Sequence, residues 1–167
     1  TIAGQGTVGK EILETNDDLD AIFVPVGGGG LLAGVSAWIA QNNKKIKIYG
    51  VEVDDSACLY EALKANKRVR LKSVGIFADG VAVEQVGKNN FDVIKECIDG
   101  VITVTIDEVC AAVKDLFEDT RVMSEPAGAV ALAGLKKYAS KKKKNLLAIS
   151  SGANLNFDRL SYIVERS

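Results

Sequence analysis

Histidine is absent from all 167 residues. That removes serine–histidine and cysteine–histidine nucleophile pairs, imidazole metal ligands and imidazole pH switching. Cysteine is scarce: Cys58, Cys97 and Cys110 form neither a CxxC pair nor a disulfide framework, so a reducing compartment is the default. No apolar run reaches the roughly 18 residues that would mark a membrane span. Neither charge is in excess: 21 Lys and Arg against 22 Asp and Glu leave a net charge of -1, which argues against a broadly basic nucleic-acid binder. No methionine or signal peptide opens the chain. It begins in a glycine-rich phrase, Thr1-Ile2-Ala3-Gly4-Gln5-Gly6-Thr7, which reads as the middle of a longer protein and leaves the compartment open.

What is present is normal globular composition, 47% hydrophobic and 26% charged, in a length that suits a single domain over residues 1–167. A chain of this size buries about 68–70% of its unfolded surface and needs no staple. Strand and helix signals alternate. Residues 21–26 (AIFVPV) form an apolar strand-like run that ends at four glycines; Leu31, Leu32, Val35, Trp38 and Ile39 then recur at helical spacing. Residues 45–52 alternate as a strand, 56–65 read as a helix, 91–98 as a short helix and 101–105 as a strand. Thr105 and Glu108 have capping-box spacing ahead of an apolar helical face. Residues 128–138 form a further apolar helix, 146–150 a buried-type strand and 157–164 a closing helix. The fold class expected is α/β: an open, mostly parallel sheet with helices on both faces, in three layers. The lysine run 141–144 is expected to be a solvated turn.

In such sheets ligands bind outside the carboxyl ends of the strands. Two strands end in small, backbone-exposing loops. The first, Gly27-Gly28-Gly29-Gly30-Leu31, lets an anion approach main-chain N–H groups at the start of a helix; a plain tight turn rarely needs four glycines. The second, Ser150-Ser151-Gly152-Ala153-Asn154, either projects the Ser151 hydroxyl into the same crevice or caps a helix. A nicotinamide dinucleotide site competes, because Gly28-x-Gly30-x-x-Ala33 fits the G-x-G-x-x-G/A fingerprint and Glu52 ends the next strand where a ribose-binding acid would sit. Three other phrases are turns or caps when read singly: Gly4-Gln5-Gly6-Thr7 ahead of the first helix, Phe77-Ala78-Asp79-Gly80-Val81-Ala82-Val83 with one buried-looking acid, and Glu125-Pro126-Ala127-Gly128-Ala129 opening a helix.

Read jointly with Phe117-Glu118-Asp119-Thr120-Arg121 and Ser151-Gly152-Ala153-Asn154-Leu155-Asn156-Phe157-Asp158, these phrases resemble the fold-type II family of pyridoxal-phosphate enzymes. The nearest branch is that of the biosynthetic threonine dehydratases (threonine ammonia-lyases). The resemblance implies that Gly27, Gly28, Gly29 and Gly30, with the Leu31 amide, hold the phosphate of pyridoxal 5'-phosphate. It implies that Ser151 hydrogen-bonds the ring nitrogen, a neutral partner that favours β-elimination. The implied reaction turns L-threonine, with L-serine a plausible second substrate, into 2-oxobutanoate and ammonia, the first step of isoleucine biosynthesis.

The resemblance also implies a homo-oligomer acting on a small molecule, with no nucleic acid or membrane partner, in cytoplasm, plastid or mitochondrion. The chain departs from the family in lacking the Ser-Phe-Lys-type motif that carries the Schiff-base lysine; Lys10 is the only lysine ahead of Gly27. The expectation is therefore the large cofactor-domain portion alone, inactive by itself, with the lysine upstream and the isoleucine-sensing domain elsewhere. Some relatives bind a metal through an acid near Glu52 and another six residues on; Cys58 stands there here, so no metal is expected. A serine dehydratase or serine racemase-like relative, a non-catalytic phosphate-binding module and the dinucleotide domain remain the alternatives.

Overall fold

The computed structural model describes residues 1–16, 18–139 and 144–167. Strand β1 (Ala21–Pro25) is buried along its whole length, which is why its sequence is an unbroken apolar run and not an alternating one. On one side it pairs with β2 (Lys47–Val53), and β2 with β3 (Gly100–Val104); on the other it pairs with β4 (Leu146–Ala148). The sheet order is β3-β2-β1-β4 and every pairing is parallel.

Successive β1 side chains feed opposite cores. Ile22 and Val24 pack with apolar side chains of α1 (Ile2–Thr15), α2 (Gly30–Asn42), α3 (Cys58–Lys64) and α4 (Lys88–Cys97). Ala21 and Phe23 pack with those of α5 (Ile106–Thr120), α6 (Pro126–Tyr138) and α7 (Leu160–Arg166). The result is the expected three-layer αβα arrangement. Helix α5 starts as its sequence predicts: the Thr105 hydroxyl accepts from the Glu108 N–H, and the Glu108 carboxylate accepts from the Thr105 N–H at 2.7 Å. Pro126 occupies the first turn of α6, where its missing N–H leaves no partner unsatisfied. Among the described residues no helix is long and apolar enough to cross a membrane. The lysine run 141–144 lies outside the described residues except for Lys144, whose ammonium sits 5.0 Å above the Tyr138 ring.

Two sequence readings are corrected here. Gly4-Gln5-Gly6-Thr7 does not precede the first helix; it lies inside α1. Gly6 and Gly9 of α1, together with Gly34 of α2, let the two helices touch backbone to backbone. A Cβ on Gly34 would stand 2.6 Å from the Gly6 N, the Ile2 carbonyl oxygen and the Gln5 Cβ, and one on Gly9 would stand 3.1 Å from the Val35 carbonyl oxygen. Poor helix formers are retained because tertiary contact outweighs propensity. Asp79, in turn, is not buried: its side chain is 66% exposed, 3.8 Å from the Arg159 guanidinium, and accepts a hydrogen bond from the Gly80 N–H.

A methyl group between α1 and α2 has nowhere to go. Gly34→Ala is expected to lower stability by about 1–3 kcal/mol, the usual range for overpacking. Gly4→Ala, whose Cβ would meet nothing within 4 Å, should stabilise by about 0.5–1 kcal/mol through helix propensity. Denaturant unfolding of both variants checks this, and similar midpoints would refute it.

Candidate functional site

A parallel sheet of order 3-2-1-4 reverses its winding between β1 and β4, and such a switch point opens a crevice at the carboxyl ends of those two strands. The loops leaving these ends are residues 27–30 and 149–156. They meet in a cleft of about 290 Å³ lined by Gly27, Gly28, Gly29, Gly30, Leu31, Gly80, Val81, Glu125, Ala127 and Ser151. All six residues singled out from the sequence therefore share one cavity. A larger groove of about 770 Å³ runs between α5 and α7, bordered by Val113, Phe117, Leu160 and Val164, but its lining is mainly apolar and lacks a converging set of backbone donors.

The tetraglycine loop is held by its carbonyls. Gly28 accepts from the Gly87 N–H at 3.0 Å and the Asn90 side-chain amide at 2.7 Å. Gly29 accepts from the Ala33 N–H. Gly29 also has φ +82, and a Cβ there would stand 2.9 Å from Ile94, so only glycine both turns and fits. By contrast, the N–H groups of Gly27, Gly28, Gly29, Gly30 and Leu31 find no acceptor among the described residues. A Cβ on Gly28 would meet no atom within 4 Å. Free donors around open space, at the N-terminus of the 13-residue helix α2, suit a phosphate dianion. The residues present thus fit a phosphorylated cofactor.

Ser151 is exposed in the cleft. It is not a helix cap, because the next helical turn begins only at Phe157. Its loop is latched to α6: the Gly152 carbonyl accepts from the Glu125 N–H at 3.2 Å and the Ser124 hydroxyl at 3.1 Å. The sequence reading passed over Glu125 as a cap. It is the helix N-cap by position, but its side chain makes no capping bond. The carboxylate instead lies against Gly152, leaving that residue no room for a side chain, and borders the cleft. Its place beside Pro126 at a helix start was the available signal.

Glu52 is the acid that the dinucleotide reading needed, and it is committed elsewhere. It is fully buried, and its two carboxylate oxygens accept from the Leu59 and Tyr60 N–H groups, each at 2.8 Å, at the start of α3. It does not line the cleft, so no ribose-binding acid is available from that strand. Burial pushes its carboxyl up to about 7, only partly opposed by those two N–H groups and the Cys58 thiol.

An unfolded carboxyl titrates near 4.5. Between that value and about 7 the folded state retains a proton the unfolded chain has lost, so stability falls as pH rises through this window. At about 1.4 kcal/mol per unit the full effect is about 3 kcal/mol. Glu52→Gln should abolish this slope: unfolding midpoints of wild type and variant, followed from pH 4.5 to 8, should diverge in the variant's favour as pH rises. Parallel profiles would contradict the assignment.

Residues 1–152 match the family model described as pyridoxal-phosphate dependent enzyme. The chain is 54% identical over 168 residues to the biosynthetic L-threonine dehydratase of Pasteurella multocida, covering 99% of this chain and 33% of that protein. It is 52% identical to the Escherichia coli enzyme of the same name, with the same coverage. Among solved structures, the processed form of threonine deaminase isoform 2 from Solanum lycopersicum superposes with a TM-score of 0.96 at 43% identity, covering 99% of this chain and 49% of that one. The chain spans about a third of the length of the curated relatives it matches. It belongs to the family of pyridoxal-phosphate dependent enzymes.

Proposed function

We propose that this chain is the cofactor-binding portion of a biosynthetic threonine dehydratase that converts L-threonine to 2-oxobutanoate and ammonia in the first step of isoleucine biosynthesis. The observation that carries the reading is the meeting, in one cleft, of the uncommitted N–H groups of residues 27–31 with the neutral hydroxyl of Ser151. The threonine assignment draws on the names of relatives about half identical to the chain.

Pyridoxal 5'-phosphate, when bound, supplies an electron sink for the negative charge left at the substrate α-carbon after proton loss. In the proposal, the Gly27, Gly28, Gly29, Gly30 and Leu31 N–H groups hold the phosphate, with the positive end of α2 balancing its charge. Ser151 holds the ring nitrogen by a hydroxyl that carries no charge, so the ring is not drawn toward full protonation as a carboxylate partner would draw it. Gly80, Val81 and Ala127 form an apolar wall of the cleft.

The nucleophilic lysine lies, in this reading, outside these residues, in keeping with a described lining that contains no lysine. The complete protein is placed inside the cell as a homo-oligomer. Large exposed apolar side chains support covering by further protein: Ile76 at 77%, Phe157 at 87% and Val164 at 70%.

The full-length protein reconstituted with pyridoxal 5'-phosphate should release 2-oxobutanoate from L-threonine. A folded, cofactor-loaded protein that releases none would overturn the threonine assignment. Borohydride reduction and peptide mapping should label a lysine outside residues 1–167; a label on any lysine within them would refute the placement of the nucleophile.

Substitutions separate the two cofactor contacts. Ser151→Asp should shift the cofactor absorption band and lower turnover by at least about tenfold. Gly28→Ala should leave the unfolding midpoint within about 0.5 kcal/mol of wild type while weakening cofactor binding by about tenfold or more. An unchanged spectrum and rate, or unchanged binding, would count against the respective contact.

A further inference from the structure

One buried link reaches the tetraglycine loop from a residue that neither lines the cleft nor belongs to the loop. The Cys58 thiol is fully buried and stands 3.8 Å from the Gly27 carbonyl oxygen, within hydrogen-bonding range for sulfur. The same thiol lies close enough to the Glu52 carboxylate for that charge to hold the thiol proton on. Glu52 in turn grips the Leu59 and Tyr60 N–H groups, which fixes the first turn of α3 and with it Cys58. The ends of β1 and β2 are thereby joined through side chains, Gly27 following the first strand and Glu52 lying in the second.

We propose that Cys58, seated by Glu52, is a positioning residue that holds the Gly27 peptide and so sets the aim of the loop's N–H groups toward the cofactor phosphate. The inference rests on the phosphate-site reading above. Three features support a role beyond filling space. The thiol remains protonated near neutrality, burial and the neighbouring carboxylate pushing it up to about 12, so it stays a donor. It faces a carbonyl of the loop that receives no backbone hydrogen bond, whereas Gly28 and Gly29 each accept one. And its position is dictated by two 2.8 Å bonds to a carboxylate that has no exposed surface and no other charged group paired to it among the described residues.

The test compares pyridoxal 5'-phosphate with pyridoxal, which lacks the phosphate, as ligands of the full-length protein. Affinities are read from cofactor fluorescence, and hydrogen exchange is followed in a loop peptide covering residues 24–32. Wild type should favour the phosphorylated ligand. Cys58→Ala should cut that preference by about threefold to tenfold, the scale of one modest hydrogen bond, and speed exchange in the loop peptide, with pyridoxal affinity unchanged. Cys58→Ser, which keeps a donor and nearly the same size, should retain more of the preference than alanine and guards against a misfolded alanine variant.

If both variants keep the full wild-type preference, or if serine and alanine lose it equally, the thiol only fills space and the inference fails. If wild type itself shows no preference for the phosphorylated ligand, the phosphate site is wrong, and that failure is distinct from the first.

Discussion

The tetraglycine loop, proposed above to hold a phosphate, has to stay ordered while leaving its N–H groups uncommitted, and the contacts around it answer that constraint. Order normally comes from hydrogen bonds made by both ends of each peptide. Here the loop uses its acceptors for order and keeps its donors open. Gly28 is anchored through its carbonyl to Gly87 and Asn90, residues about 60 positions later in the chain. Gly29, in a left-handed turn, is pressed against Val86 and Ile94. Fixing one backbone residue costs about 1–2 kcal/mol, so four glycines cannot hold one geometry without such contacts. Helix α4 therefore shapes the loop although none of its residues borders the cleft.

The same device recurs on the other side of the crevice. The loop carrying Ser151 is fixed by the Gly152 carbonyl, which accepts from Glu125 and Ser124 at the start of α6. Ser124 is itself fully buried, so its hydroxyl is a rigid donor. The parallel pairing of β1 with both β2 and β4 sets the two loops side by side. Neither loop forms a site alone; the switch in winding brings them together.

Much of this was legible in the sequence. The apolar run of β1, the helical spacing after it, the Thr105–Glu108 cap and the two loops all follow local rules, and local rules suffice where a segment's own composition, spacing or cap carries the signal. They fail where the partner is distant. Gly6 looks like a loop residue because nothing nearby reveals that Gly34 lies against it. Asp79 looks buried because its neighbours in sequence are apolar, while Arg159, 80 positions on, meets it at the surface. Glu52 was correctly placed at the end of a strand, yet its chemistry was set by a chain reversal at Asp54–Ser56 that turns α3 back onto it. Glu125 showed locally only as a helix start beside Pro126; that its carboxylate turns to the cleft depends on Gly152, 27 positions on.

The buried carboxylate of Glu52 shows how such distant terms combine. Helix α3 has only seven residues, well below the roughly 12–15 at which an isolated helix becomes even marginal in water. Its leading N–H groups need acceptors, and no side chain within its own N-cap supplies one. A carboxylate from β2 does, and those N–H groups are what make a buried acid tolerable there. Helix and acid are thus mutually dependent: removing the carboxylate orphans the Leu59 and Tyr60 donors, and losing the helix strands a charge between sheet and helix layer. Because Cys58 is the first residue of that helix and touches Gly27, the position of the tetraglycine loop inherits the rigidity of the sheet through a short helix that could not stand alone.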